Sequence, residues 1–201
     1  MSAERNMTSV KVWDPIVRFG HWLLVAGFFT NYIMEDEVMT LHVWIGYTLL
    51  AIVLFRVLWG FVGTEHARFG DFVRSPAAVV YYLRNLFTGL AKHYLGHNPA
   101  GGIMILLLIA CMIALAFSGL VLYAVEENAG PLAGWVVEAG EGVSGALWAA
   151  DEHFWEETHE VLVNVMLGLV IIHVLGVVVS SRLHRENLVR AMVTGRKPLK
   201  D

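Results

Sequence analysis

A chain of 201 residues that is 57% hydrophobic and only 16% charged, with a mean hydropathy of +0.59, is far from the composition of a soluble domain. Its net charge of −4 gives no basic footprint for nucleic acid, so no nucleic-acid partner is expected. What remains is a chain whose solvent is lipid.

The first fifteen residues are polar and lack the apolar core and small-residue cleavage site of a secretory signal, so the apolar run after them reads as a retained anchor. Four apolar segments follow, at 16–34, 41–62, 101–125 and 154–181. Each is near or above the ~20 residues that cross a hydrocarbon core, and in lipid such spans must be helical. The expected fold is all-α: one domain over 1–201, an integral membrane four-helix bundle.

If the four spans alternate in direction, all 14 Lys and Arg residues fall on one side. The opposite loops carry only acids: Glu35, Asp36, Glu37, Glu126, Glu127, Glu138, Glu141, Asp151 and Glu152. The positive-inside rule then puts both termini and the central loop of a multi-pass protein in the cytoplasm. An odd number of spans would break the segregation.

Between the second and third spans, Ser75-Pro76 reads as a helix start. The apolar spacing over 77–92 predicts a short amphipathic helix, lying on the membrane surface or docking a soluble partner. In the loop after span three, Trp135 and Trp148 among glycines and acids suggest an interfacial helix.

Ionisable side chains are costly in lipid, so histidines in such segments are functional candidates. His159 and His173 stand 14 residues apart on one helix, which puts them within ~40° of one face and ~21 Å apart along the axis. His21 lies near the basic side of span one, and His42 opens span two on the acidic side. Depth alone pairs His21 with His173 and His42 with His159. Two bis-histidine metal sites follow, one near each face, and two haems held by neutral imidazoles would use them. Cys111 is the single cysteine, placed as a packing residue mid-span. Its isolation excludes covalent c-type attachment and four-cysteine iron–sulfur ligation, so any haem is non-covalent.

Arg18, one turn from His21, and Arg56, 14 residues after His42, reach the level of the inner pair and could hold haem propionates; snorkelling to headgroups is the competing role. Gly46, Gly168 and Gly176 near the ligands would make room for a flat macrocycle. His153, the competitor for the outer site, points to nearly the opposite face from His173. His66, His93, His97 and His184 fall in polar segments and are expected to be solvated or headgroup-facing. His93 and His97 form an i, i+4 pair able to bind zinc if helical. A non-redox metal or proton transporter is the rival reading of the buried histidines.

Several of these pieces have a common likeness: Arg18-Phe-Gly-His21-Trp22, His42-Val-Trp-Ile-Gly46 followed by Arg56, His159-Glu160 with His173, and Gly96-His-Asn-Pro-Ala-Gly-Gly102. In order and spacing, from about Val12 to Met192, the chain resembles the prokaryotic cytochrome b561 family, which includes cytochrome b subunits of nickel–iron hydrogenases. The resemblance implies two haem b groups on His21, His42, His159 and His173. It also implies electron transfer between membrane quinone and a redox partner, a c-type cytochrome or a dehydrogenase or hydrogenase subunit. Some relatives act alone as superoxide:quinone oxidoreductases. An outer face without Lys or Arg is a poor funnel for that anion and a better match for a cationic partner.

Overall fold

The computed structural model describes residues 9–34, 38–88, 90, 92–138 and 148–198. Its frame is four long helices: α1 (Pro15–Ile33), α2 (Met39–Val62), α5 (Pro99–Glu127) and α6 (Glu152–Leu183). Between α2 and α5 lie a single 3₁₀ turn, α3 (Phe69–Phe72) and α4 (Pro76–Phe87); α7 (Leu188–Thr194) follows α6. Five helix starts have a local cause. The pairs Asp14-Pro15, Ser75-Pro76 and Asn98-Pro99 all place an N-capping side chain before a first-turn proline. Asp151 and Asn187 cap α6 and α7 in the same way.

Three of these helices, α2, α5 and α6, are long and apolar enough to cross a membrane. Only 6% of the most apolar stretch of α6 is buried inside the protein. Its outward Val161, Ile171, Ile172, Val174 and Leu175 are therefore left for lipid. α1 has 19 residues, about 28 Å of helix, and Arg18, His21 and Asn31 dilute its apolar character.

α1 packs on α2, α2 on α5, and α5 on α6, the last being the most extensive contact. All four contribute to one core of Phe28, Val53, Cys111, Met112, Leu115 and Met166. Cys111 is a packing residue, as its isolation suggests, with Sγ 3.8 Å from the Leu162 carbonyl. Met166, 1% exposed, lies seven residues from both His159 and His173 and so shares their face midway between them.

The polar ends hold features that hydropathy does not announce. β1 (Ser9–Lys11) pairs antiparallel with β4 (Arg196–Pro198), bringing the two ends of the described chain together. Val12 and Trp13 pack on Ala191 beneath this ribbon, and the backbone N–H groups of both bond the Gly195 carbonyl. Gly195 sits at φ +79, and a side chain there would meet the Trp13 carbonyl at 2.8 Å.

Two expectations are corrected here. The described part of the loop after α5 forms no helix: β2 (Val136–Glu138) pairs parallel with β3 (Trp148–Ala150). Positive φ at Asn128, Gly130 and Gly134 turns the chain repeatedly, and β-branched Val136 and Val137 favour strand. Residues 139–147 lie outside the described set. The amphipathic helix expected over 77–92 ends at Phe87, because Thr88 caps it and the chain then leaves helical geometry.

Candidate functional site

The bundle brings the four intramembrane histidines together in two pairs. His42 and His159 have ring centroids 6.2 Å apart, and His21 and His173 have theirs 6.5 Å apart. A direct N–H···N hydrogen bond between facing rings would draw the centroids to about 5 Å. Two metal–imidazole bonds of ~2 Å, with each ring centre ~1.1 Å behind its nitrogen, predict about 6.3 Å. Both spacings leave room for one metal ion between the rings.

The pair at the acidic end has a support that the sequence reading missed. Ser118 on α5, fully buried, donates its hydroxyl to the Leu115 carbonyl at 2.9 Å. Its lone pairs then face His159 Nδ1 at 2.9 Å, so Nδ1 carries the proton. The Nε2 lone pair is left for a metal, the usual second partner of a metal-bound histidine. Gly119 leaves the ring its place: a Cβ there would be 3.1 Å from His159 Cε1. A buried serine in an apolar span was the available signal. Asn31 ties α1 to the first turn of α2 through the His42 carbonyl, at 3.1 Å.

Two arginines stand at the basic end of the bundle, each tied to a backbone carbonyl. Arg18 donates from Nη2 to the Val193 carbonyl at 2.5 Å, and Arg56 from Nη2 to the Ala67 carbonyl at 3.1 Å. Arg56 also lies 5.4 Å from the centre of the Phe69 ring. Each guanidinium keeps one buried nitrogen, Arg18 Nε and Arg56 Nη1, without a hydrogen-bond partner among the described residues. Asp14 is already engaged: it accepts from the Val17 amide at 2.8 Å, Trp59 Nε1 at 3.2 Å and the Thr64 hydroxyl at 2.6 Å. Burial would raise its pKa, but these hydrogen bonds outweigh it and hold the carboxyl below its ordinary value.

The histidines expected in solvent are sorted differently. His97 is wedged between Trp13, 4.4 Å away, and Phe72, 4.8 Å away, beside the basic-end pair. Burial first, then the nearby cations Arg56 and Lys197, push it down to about 3, so it is neutral. The segment from 92 to 98 is not helical, which separates His93 from His97 and removes the zinc pair. His93 instead meets Glu186 at 3.1 Å, and Glu186 meets buried Lys197 at 3.4 Å. The ring of His184 is 5.4 Å from that of His93. His66 lines a cavity of about 300 Å³ with Glu65, Asp71 and Arg74. His153 is 77% exposed, facing Glu156 and Glu157, and takes no part in the acidic-end pair.

The helix surface is open at three glycines near the paired histidines in sequence. A Cβ built on Gly46, Gly168 or Gly176 would meet nothing within 4 Å. Residues 12–195 match the family described as prokaryotic cytochrome b561. The chain belongs to that family. It is thereby a b-type cytochrome, a membrane haem protein of electron transport, and the open faces and paired imidazoles fit such a group.

Curated relatives agree along the whole length. A "Probable Ni/Fe-hydrogenase B-type cytochrome subunit" of Azotobacter vinelandii is 27% identical, covering 98% of this chain and 92% of the relative. Its namesake from Azotobacter chroococcum mcd 1 is 28% identical with the same coverage. That of Rhizobium leguminosarum bv. viciae is 25% identical, covering 96% and 90%. No solved structure matches the chain.

Proposed function

We propose that this chain conducts electrons across the bacterial inner membrane through two non-covalent b-type haems, one ligated by His42 and His159 and one by His21 and His173. The observation that carries the reading is the matched 6.2 and 6.5 Å spacing of two histidine pairs from three helices. Haem ligated on both faces supplies one-electron exchange without an open coordination position.

The residues of the chain set up that chemistry. Ser118 fixes the His159 ring and its tautomer, while Arg18 and Arg56 offer their spare nitrogens to propionates at the basic end. The core between the levels, with Phe28, Val53 and Met166, keeps water out of the ~21 Å interval. α1 acts as the fourth span, since only an even number keeps every Lys and Arg on the cytoplasmic side with both termini.

For the partners, the relatives' printed names favour a nickel–iron hydrogenase, with membrane quinone at the other end of the path. A cationic c-type cytochrome is a second reading, favoured by acidic loops without Lys or Arg. The test is a reduced-minus-oxidised spectrum with a haem-to-protein ratio on the purified protein. Two b-type haems per chain are expected. No b-type absorption would leave the non-redox transporter reading, and one haem per chain would remove the two-level path. Co-purification of a hydrogenase, compared with superoxide-driven quinone reduction by the pure protein, then decides the partner class.

A further inference from the structure

Charge is unbalanced at the basic end of the bundle. The buried cation Lys197 has Glu186, and Asp14 is spent on Val17, Trp59 and Thr64. Among the described residues Arg18 and Arg56 have no carboxylate within 4.0 Å, the reach that defines the ion pairs of this end, and Arg56 feels the charge of Asp14 only from beyond it. Partly buried guanidinium groups need an anion, since desolvating them unpaired is costly. A haem b brings two carboxylates.

His97 belongs to the same cluster. Its Nδ1 is buried and has no hydrogen-bond partner among the described residues. The ring is near enough to Arg56 and His173 to interact electrostatically with both. Its orientation is fixed from two directions. Trp13 and Phe72 clamp the ring, and the next residue, Asn98, is locked as the α5 cap through a 2.7 Å bond from the Gly101 amide. A rigid imidazole donor beside a guanidinium with a spare N–H suits one carboxylate placed between them.

We propose that His97 is a propionate-holding residue of the basic-end haem, donating to a carboxylate together with Arg56. This rests on the reading that His21 and His173 ligate that haem. The chemistry shared with any rival occupant is an anionic oxygen, and a lipid phosphate is the other source of one.

The test is a potentiometric titration of both haems in wild type, His97→Phe and His97→Gln. Phenylalanine keeps the contact with Trp13 and Phe72 but removes the donor; glutamine keeps an N–H. In His97→Phe the basic-end haem should shift to lower potential, or be lost first on dilution, because an uncompensated propionate stabilises ferric iron. The other haem should stay unchanged, and His97→Gln should lie closer to wild type. Reconstitution with haem dimethyl ester, which has no free carboxylates, should abolish the difference between wild type and His97→Phe. An unshifted His97→Phe, equal shifts of both haems, or a shift that persists with the ester would overturn the proposal; the last would indicate a lipid phosphate. If His21→Ala leaves both haems in place, the ligand reading fails instead, whatever His97 does.

Discussion

The two histidine levels are built from similar pairs but differently supported. At the acidic end the support is a neutral hydrogen bond from within the bundle, Ser118 to His159, under a loop that carries no cation. At the basic end polar groups from separate segments gather instead: His97 interacts with Arg56 and His173, Arg18 ties α1 to the end of α7, and the β1–β4 ribbon joins the two ends of the described chain. If the proposed haems occupy both levels, equivalent ligation need not give them equivalent potentials. A cation near an iron favours its reduced state, so with Arg56 on its side of the bundle the proposed basic-end haem should have the higher potential of the two.

The largest effect that tests this comparison is loss of a whole haem. His42→Ala and His159→Ala should each remove the same haem, and His21→Ala and His173→Ala the other, leaving half the wild-type haem by quantitative absorbance. Loss of one common haem from His159→Ala and His173→Ala would dissolve the two levels.

Next comes the cap. Lys197→Ala strands Glu186, 5% exposed, beside His93, and should cost about 3 kcal/mol in thermal or denaturant unfolding. Its spectral consequences should be confined to the basic-end haem. Ser118→Ala leaves His159 Nδ1–H without its acceptor and should weaken retention of the acidic-end haem about 10- to 100-fold in haem-transfer experiments. A loss shared by both haems would mean that the levels are mechanically one site.

The smallest effect concerns Asp14. Asparagine still caps α1 but lacks the charge, so Asp14→Asn should cost about 1 kcal/mol at neutral pH. The native carboxyl titrates below its ordinary value, so its contribution is present above the unfolded value of 3.8 and fades as pH falls through the lower folded value. Melting curves of wild type and variant should therefore converge in acid.

The long helices were readable because lipid imposes a simple rule of apolar length, and the cap at Ser75 was readable from its proline. The pairing of histidines was readable because helical rise converts 14 residues into depth. The polar segments were not. His97 looks like a solvated loop residue until Trp13, over 80 positions earlier, is folded onto it. Ser118 looks like any small residue of a membrane helix until α6 turns His159 toward it.

The sequence by itself determined the solvent of this protein, its long helices, its charge asymmetry and the height of each histidine on its helix, since all four depend on local composition and helical periodicity. Only the tertiary structure decided which polar atoms satisfy one another: Ser118 with His159, Asp14 with Trp59 and Thr64, Lys197 with Glu186, and His97 between Trp13 and Phe72. Periodicity fixes a residue's height and face on its own helix. Hydrogen bonds and ion pairs form between elements, and depend on which neighbour the fold places opposite.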